Sequence, residues 1–208
     1  MLELKDVNHN YGNFKIKNIS LKINKCELIG IVGKNGSGKT TLLKIIAGII
    51  KSENVYMNGD EITIKKLSDI SYMDSNAFFY ELLTVNEMID FVKYIYKESI
   101  DNRIFLWMQK IGLSQYQDEL IKNLSLGNRQ KLSFILTLIN NPKLILLDEP
   151  FNGVDESSVN IIINILKKLV DEKRTVLITT HVGSILDGLC TRIIELDAGV
   201  IVSDNIIA

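Results

Sequence analysis

Cysteine is scarce in this chain. The two present, Cys26 and Cys190, lie far apart, with no CxxC spacing and no histidine at metal-ligand spacing, which excludes a disulfide framework and a zinc module. They read instead as two buried small residues in a reducing compartment. An excess of basic residues is missing too. With 24 Lys and Arg against 25 Asp and Glu in 208 residues, there is no electrostatic footprint for nucleic acid, and no nucleic-acid partner is expected. Long hydrophobic runs are absent: "IIAGII" and "LILL" fall far below the ~18 residues of a membrane span. The charged, alternating start "MLELKDVNHNYG" has no apolar core of a signal peptide. Repeats, low-complexity stretches and disordered linkers are also lacking. What remains, 46% apolar and 24% charged residues, is the composition of a soluble globular domain, or of a core with a smaller subdomain. Any membrane role must come through a partner.

Hydrophobic periodicity divides the chain in three. "LELKDV" and "FKIKNISLKI" alternate apolar and polar residues, as half-buried antiparallel strands do. His9, on the first of these and read as an edge strand, has only a structural role. "ELIGIV" is a continuous apolar run, expected as a strand buried on both faces, and "KTTLLKIIAGII" follows as a helix. Asn58-Gly59 reads as a hairpin turn. The middle is helical: Thr84 and Glu87 make a capping box before Val85, Met88, Ile89 and Val92. Asp101 caps a helix carrying Ile104, Trp107, Met108 and Ile111 that stops at Gly112. A third helix runs from Ser125 with Leu132, Ile135, Leu136 and Ile139 on one side. Strands then return in "KLILLD", "RTVLITT" and the hairpin "RIIELD"/"VIVSD", with a long helix opening at Asp155. The expectation is an α/β fold: residues 1–74 and 141–208 form the core, with an N-terminal antiparallel β subdomain and a mixed central sheet. Residues 75–140 form an inserted α-helical subdomain.

The stretch "GKNGSGKT" (Gly33 to Thr40) matches G-x-x-x-x-G-K-[ST] between a buried strand and a helix. Gly33, Gly36 and Gly38 let the loop's amides, those of Lys34, Asn35 and Ser37 included, surround phosphates. Lys39 reaches the β- and γ-oxygens, and the Thr40 hydroxyl ligates Mg²⁺. Thr41 is placed to bond the α-phosphate. ATP and Mg²⁺ are the implied ligands. In "LILLDEP", Asp148 ends a buried strand where it can hold the magnesium shell, and Glu149 is the natural base for in-line attack on the γ-phosphate; a DE pair after a strand is otherwise a solvated turn. His181, alone after "RTVLITT", would ordinarily be structural. It falls with Gly33 and Asp148 at the carboxyl ends of strands, where open α/β sheets bind ligands, and so reads as a γ-phosphate contact.

A second helix start raises a further question, because "KNLSLGNRQKL" (Lys122 to Leu132) also opens with serine and glycine before an apolar stripe, as anion-binding helix starts do. Taken in order, "YGNFKIKNISL", "GKNGSGKT", "ISYMDSNAFFYELLTVNE", "LSLGNRQKL", "LILLDEPFNGVD" and "TTHVGSILDGLC" resemble the motifs of the ATP-binding-cassette ATPases, the nucleotide-binding subunits of ABC transporters. The likeness covers nearly the whole chain and implies a P-loop NTPase core. It further implies that Ser125 and Gly127 cap the γ-phosphate of ATP held by a second, head-to-tail subunit, that Asp155 couples the two sites, and that Tyr11 stacks on adenine. The chain would then be a cytoplasmic ATPase, peripheral on a membrane-spanning subunit and paired with itself or a sister chain. Two positions depart from the family: Leu126 stands at the usual third glycine of LSGGQ, and Ser75 stands where a glutamine meets Mg²⁺ and the attacking water, with Asn76 beside it. Ala77, Phe78, Phe79 and Tyr80 are either core packing or the rim that receives a helix of the membrane subunit. An end at Ala208, soon after the last hairpin, leaves out the regulatory domain of sugar importers and leans the reading toward export. A soluble ABC-type ATPase of a cytosolic assembly and a hydrolysis-impaired regulatory subunit are the alternatives.

Overall fold

Three strands, β3 (Leu28–Val32), β7 (Leu144–Asp148) and β8 (Thr175–Thr179), have almost no polar alternation, and such strands need cover on both faces. The computed structural model describes residues 2–11, 14–61, 68–97, 102–181, 186 and 188–207, without the side chains of Tyr11 and Phe14. In it these strands lie in the middle of a six-stranded sheet ordered β10-β9-β3-β8-β7-β6, where β6 is Ile70–Met73, β9 is Arg192–Asp197 and β10 is Val200–Ile206. All run parallel except β10, which returns beside β9. A second, antiparallel sheet holds β1 (Leu2–Tyr11), β2 (Phe14–Ile23), β4 (Val55–Met57) and β5 (Asp60–Glu61) in the order β2-β1-β4-β5.

Period two sorts the central strands between two cores. Leu144, Leu146 and Leu177 face one, with the inner residues of β1 and β2 and with Leu42, Leu43, Ile45 and Ile46 of α1 (Lys39–Ile46). The alternate residues Ile145, Leu147, Val176 and Ile178 face the other. That second core is closed by α2 (Val85–Tyr96), α3 (Asn102–Lys110), α4 (Leu126–Leu138) and α5 (Glu156–Asp171). Met88, Trp107, Phe134 and Ile165 belong to the same cluster as the β7 and β8 side chains, so the middle helices share the core of the sheet. Between β6 and β7 the described residues are helical or turn, with one isolated bridge from Thr84 to Leu120.

Local signals act where they stand. The Thr84 hydroxyl accepts the Glu87 amide at 3.2 Å, and the Glu87 carboxylate accepts the Thr84 amide at 2.8 Å. Asn58 and Gly59 both take positive φ in the turn joining β4 and β5. Gly112 ends α3 in the left-handed region, while the Asp101 cap lies outside the described residues.

Two expectations are corrected. Cys26 is exposed, not buried; it sits at φ +62° in the turn before β3, and the turn carries it outward despite the usual burial of cysteine. Strand β1 is an edge only in part, since β4 flanks it along Leu2–Leu4, whereas among the described residues His9 pairs on one side alone, with Ile16.

Candidate functional site

The site grows from the carboxyl ends of β3, β7 and β8. After β3 the chain turns tightly enough that a Cβ on Gly33 would meet the Leu196 carbonyl at 2.2 Å, so only glycine fits. The loop then enters α1 through Gly38, which offers no side-chain cap. The first amides of α1 are therefore free to receive an anion. Lys39 is buried, its ammonium held by the carbonyls of Gly33 at 2.8 Å and Lys34 at 3.3 Å. Ser37 Oγ is buried without a hydrogen-bond partner, an orphaned polar atom inside a loop shaped for phosphate. Asn35, Gly36, Gly38, Lys39, Thr40, Thr41 and Glu149 line an open cleft of about 440 Å³.

Residues from three elements meet at its floor. Thr40 Oγ1 donates to Asp148 Oδ2 at 2.8 Å. Asp148, fully buried, also accepts the Thr179 hydroxyl at 2.6 Å, because parallel register sets Asp148 opposite Thr179. Glu149 follows with φ +50°, and its Oε2 lies 2.9 Å from His181 Nδ1 and accepts the His181 amide at 3.3 Å. With Glu149 ionised, the proton in the 2.9 Å contact belongs on Nδ1. Lys39, Thr40, Asp148, Glu149 and His181 thus share one strand-end cluster.

The second helix start is the tip of α4. Ser125 is exposed and caps α4 by accepting the Asn128 amide at 3.3 Å. Gly127 packs so closely on the loop before α5 that a Cβ there would meet the Gly153 carbonyl at 2.3 Å. Leu126, at the position of departure, is 67% exposed. Asp155 caps α5 through the Ser158 amide and pairs with Lys131 of α4 at 2.6 Å. Ser75 sits in the turn after β6, where the Asn76 amide donates to Asp74. Beyond it Phe79 is buried, whereas Phe78 and Tyr80 are exposed and meet edge to face at 5.6 Å. Core packing and an exposed aromatic rim are therefore both present. The adenine-stacking expectation for Tyr11 falls on a side chain outside the described residues.

Sequence reading passed over four participants. Thr179 joins Asp148 to Glu149, Gln130 donates to the Glu149 carbonyl at 2.8 Å, and Lys131 holds Asp155. Tyr72 lies 3.5 Å from Asp148; burial, then the Asp148 and Asp74 charges, push its phenol above its ordinary range. The available signal was a pair of polar residues, Gln130 and Lys131, interrupting the buried side of α4.

Fold and site together define a P-loop ATPase. The family model described as ABC transporter matches residues 16–152. An ABC transporter ATP-binding protein of Methanocaldococcus jannaschii is 33% identical over 202 residues, 95% of this chain and 74% of that protein. The lantibiotic transport ATP-binding protein SrtF of Streptococcus pyogenes is 29% identical over 192 residues, 91% and 83% of the two chains. A solved dimeric ATP-binding cassette in a post-hydrolysis state, bound to ADP and Pi, superposes with a TM-score of 0.84 at 26% identity, covering 100% of this chain and 99% of that one. The chain belongs to the ABC transporter family, as one of its ATP-binding ATPase subunits. Among the described residues no helix is long and apolar enough to cross a membrane.

Proposed function

We propose that two copies of this fold, this chain and itself or a sister subunit, close head to tail on two ATP molecules, and that hydrolysis at each site releases them to drive export through a membrane-spanning partner. The carrying observation is the split of the machinery. Lys39, Thr40, Asp148, Glu149 and His181 converge at the strand ends, while the Ser125 tip of α4 is capped and exposed. That split supports a site completed by a second copy. Ser125 and Gly127 would bond the partner-bound γ-phosphate, and Asp155 would carry the state of one site to the other. Lys39 would exchange its two carbonyl contacts for phosphate oxygens, with Tyr11 against adenine.

The cluster suits Mg²⁺. Among the described residues no group of three His, Cys, Asp or Glu side chains forms a metal site alone. A cation would rest on Thr40, Asp148 and the triphosphate, as magnesium does in phosphoryl-transfer sites. When bound it neutralises charge on the β- and γ-oxygens; Ser75 stands nearest the role of the usual glutamine. Glu149 would take the proton of the attacking water, and His181, fixed through Nδ1, would present Nε2 to the γ-phosphate. Phe78 and Tyr80, with Ala77 and Phe79 beneath, would receive the membrane subunit at the cytoplasmic face. The name of the lantibiotic transport relative supports a role in transport, and export is the direction proposed.

The test is Glu149→Gln. This variant should bind ATP and accumulate as an ATP-dependent dimer, doubling the mass seen by light scattering after size exclusion. A variant that turns over ATP at the parental rate and stays monomeric refutes the assignment.

A further inference from the structure

Glu149 holds a backbone conformation that residues with a Cβ rarely adopt, φ +50°, and Pro150 follows it. A proline restricts the residue before it and brings no N–H of its own to hold the turn. Such a conformation persists only where neighbours over-determine it. On the amide side, Glu149 N–H donates to the Thr179 carbonyl at 3.2 Å and to Thr179 Oγ1 at 3.1 Å. On the carbonyl side, Gln130 Nε2 donates at 2.8 Å and the Asn152 amide, from the same turn, at 3.3 Å. Gln130 is 5% exposed, on the stretch of α4 that otherwise buries Leu132, Phe134, Ile135 and Leu138. A buried amide in that place is costly unless it is bonded, and the bond it makes is to the strained residue whose carboxylate faces His181.

We propose that Gln130 is a positioning residue for hydrolysis: its amide fixes the Glu149 carbonyl, and so the direction in which the Glu149 carboxylate leaves the chain toward His181 and the attacking water. This rests on the reading of Glu149 as the base. Thr179 holds the amide side alone: its hydroxyl accepts the Glu149 N–H and gives its single proton to Asp148, leaving none for the Glu149 carbonyl. Without Gln130 the Glu149 carbonyl keeps only the longer bond, 3.3 Å, from the Asn152 amide within its own turn, and loses its link to α4.

The experiment is a double-mutant cycle on the full chain with MgATP. Gln130→Met keeps length and apolar volume and removes the donor; Gln130→Leu serves as the second variant if the first folds poorly. Turnover, KM and melting temperature are measured, with ATP affinity by calorimetry. Gln130→Met should lower kcat about ten- to hundredfold, the scale on which a misplaced group loses rate. ATP affinity should stay within about twofold of the parent, since the side-chain hydrogen bond of Gln130 goes to the Glu149 carbonyl and not to the phosphate loop. Added to Glu149→Gln, it should give no further loss. Parental kcat in the Gln130 variants beside an inactive Glu149→Gln overturns the positioning role alone. Equal losses in both backgrounds, or a loss that follows ATP affinity or melting temperature, overturn it as well. Parental turnover in Glu149→Gln removes the base assignment, and this inference with it.

Discussion

The ion pair between Lys131 and Asp155 joins α4 to α5 at 2.6 Å, but its partners differ in exposure: the lysine side chain is 9% exposed and the aspartate 52%. That asymmetry gives opposite costs to two conservative substitutions. Asp155→Asn keeps the cap oxygen for Ser158 but strands an ammonium in a dry site. Removing one partner of a fully buried pair costs about 3–5 kcal/mol. Here the carboxylate is half in water, which screens the attraction, and asparagine oxygen can still accept from Lys131, so the expected loss is about 2 kcal/mol, the worth of a hydrogen bond to a charged group. Lys131→Met leaves a carboxylate that water can solvate, at a cost below about 1 kcal/mol, as for exposed pairs. In a chain of this size about 2 kcal/mol is roughly 4–8 °C of melting temperature. Differential scanning calorimetry without nucleotide measures it, since bound ATP would shift both curves. The double variant should recover most of the Asp155→Asn loss. Acid supplies a further arm. Lys131 first, then the Ser157 hydroxyl and the Ser158 amide, hold the Asp155 carboxyl well below the usual range. A depressed carboxyl contributes fully above its unfolded value, about 3.9, and loses that contribution as pH falls toward the folded value. The gap between parent and Asp155→Asn should therefore be flat from neutrality to about pH 5 and close below it. A Lys131→Met loss equal to or above that of Asp155→Asn refutes the argument.

Lys39→Ala should abolish nucleotide binding itself, since it removes the loop's buried cation; unchanged ATP affinity in calorimetry would count against the phosphate cradle. Thr84→Ala removes the hydroxyl that accepts the Glu87 amide at the start of α2, leaving the backbone half of the capping box, and should cost about 1 kcal/mol, read as a shift of the urea midpoint at constant slope. The native chain should react with one equivalent of a thiol reagent at Cys26, because burial pushes the Cys190 thiol up to about 12; two fast equivalents before denaturation would contradict the packing of Cys190.

Much of the fold was legible because the signals are local. Continuous apolar runs marked β3, β7 and β8, and Thr84 with Glu87 marked the start of α2. Lys39, Thr40, Asp148 and Glu149 could be named in advance because each falls in a motif with a mechanical reason, the first two opening α1 after the glycine loop and the other two at the end of β7. Thr179 was not, since its hydroxyl acquires meaning only from the strand beside it. Gln130 and Lys131 read as ordinary polar residues of a helix until tertiary packing turns them inward. Cys26 was misread from residue type, because a left-handed turn decides its exposure. The partial cover of β1 by β4 depends on pairing across about fifty residues, which no local pattern encodes.

Register is what turns these separate strand ends into one site. Parallel pairing sets Leu147 opposite Ile178 and Asp148 opposite Thr179, and β6 adds Met73 opposite Leu147, so Asp74 continues the row beside Asp148. A slip of one residue in β8 would send Val176 and Ile178 to the face that now takes Leu177, and Thr179 would point away from Asp148. The two cores forbid that slip, because each accepts only its own alternate set of side chains. Hydrophobic sorting on both faces of the sheet therefore places the Thr179 hydroxyl at 2.6 Å from Asp148. The same sorting brings His181 within reach of Glu149, two residues beyond the last strand position. Catalytic geometry at the edge is a consequence of apolar packing at the centre, and core substitutions in β7 or β8 that alter the register act on hydrolysis without touching nucleotide.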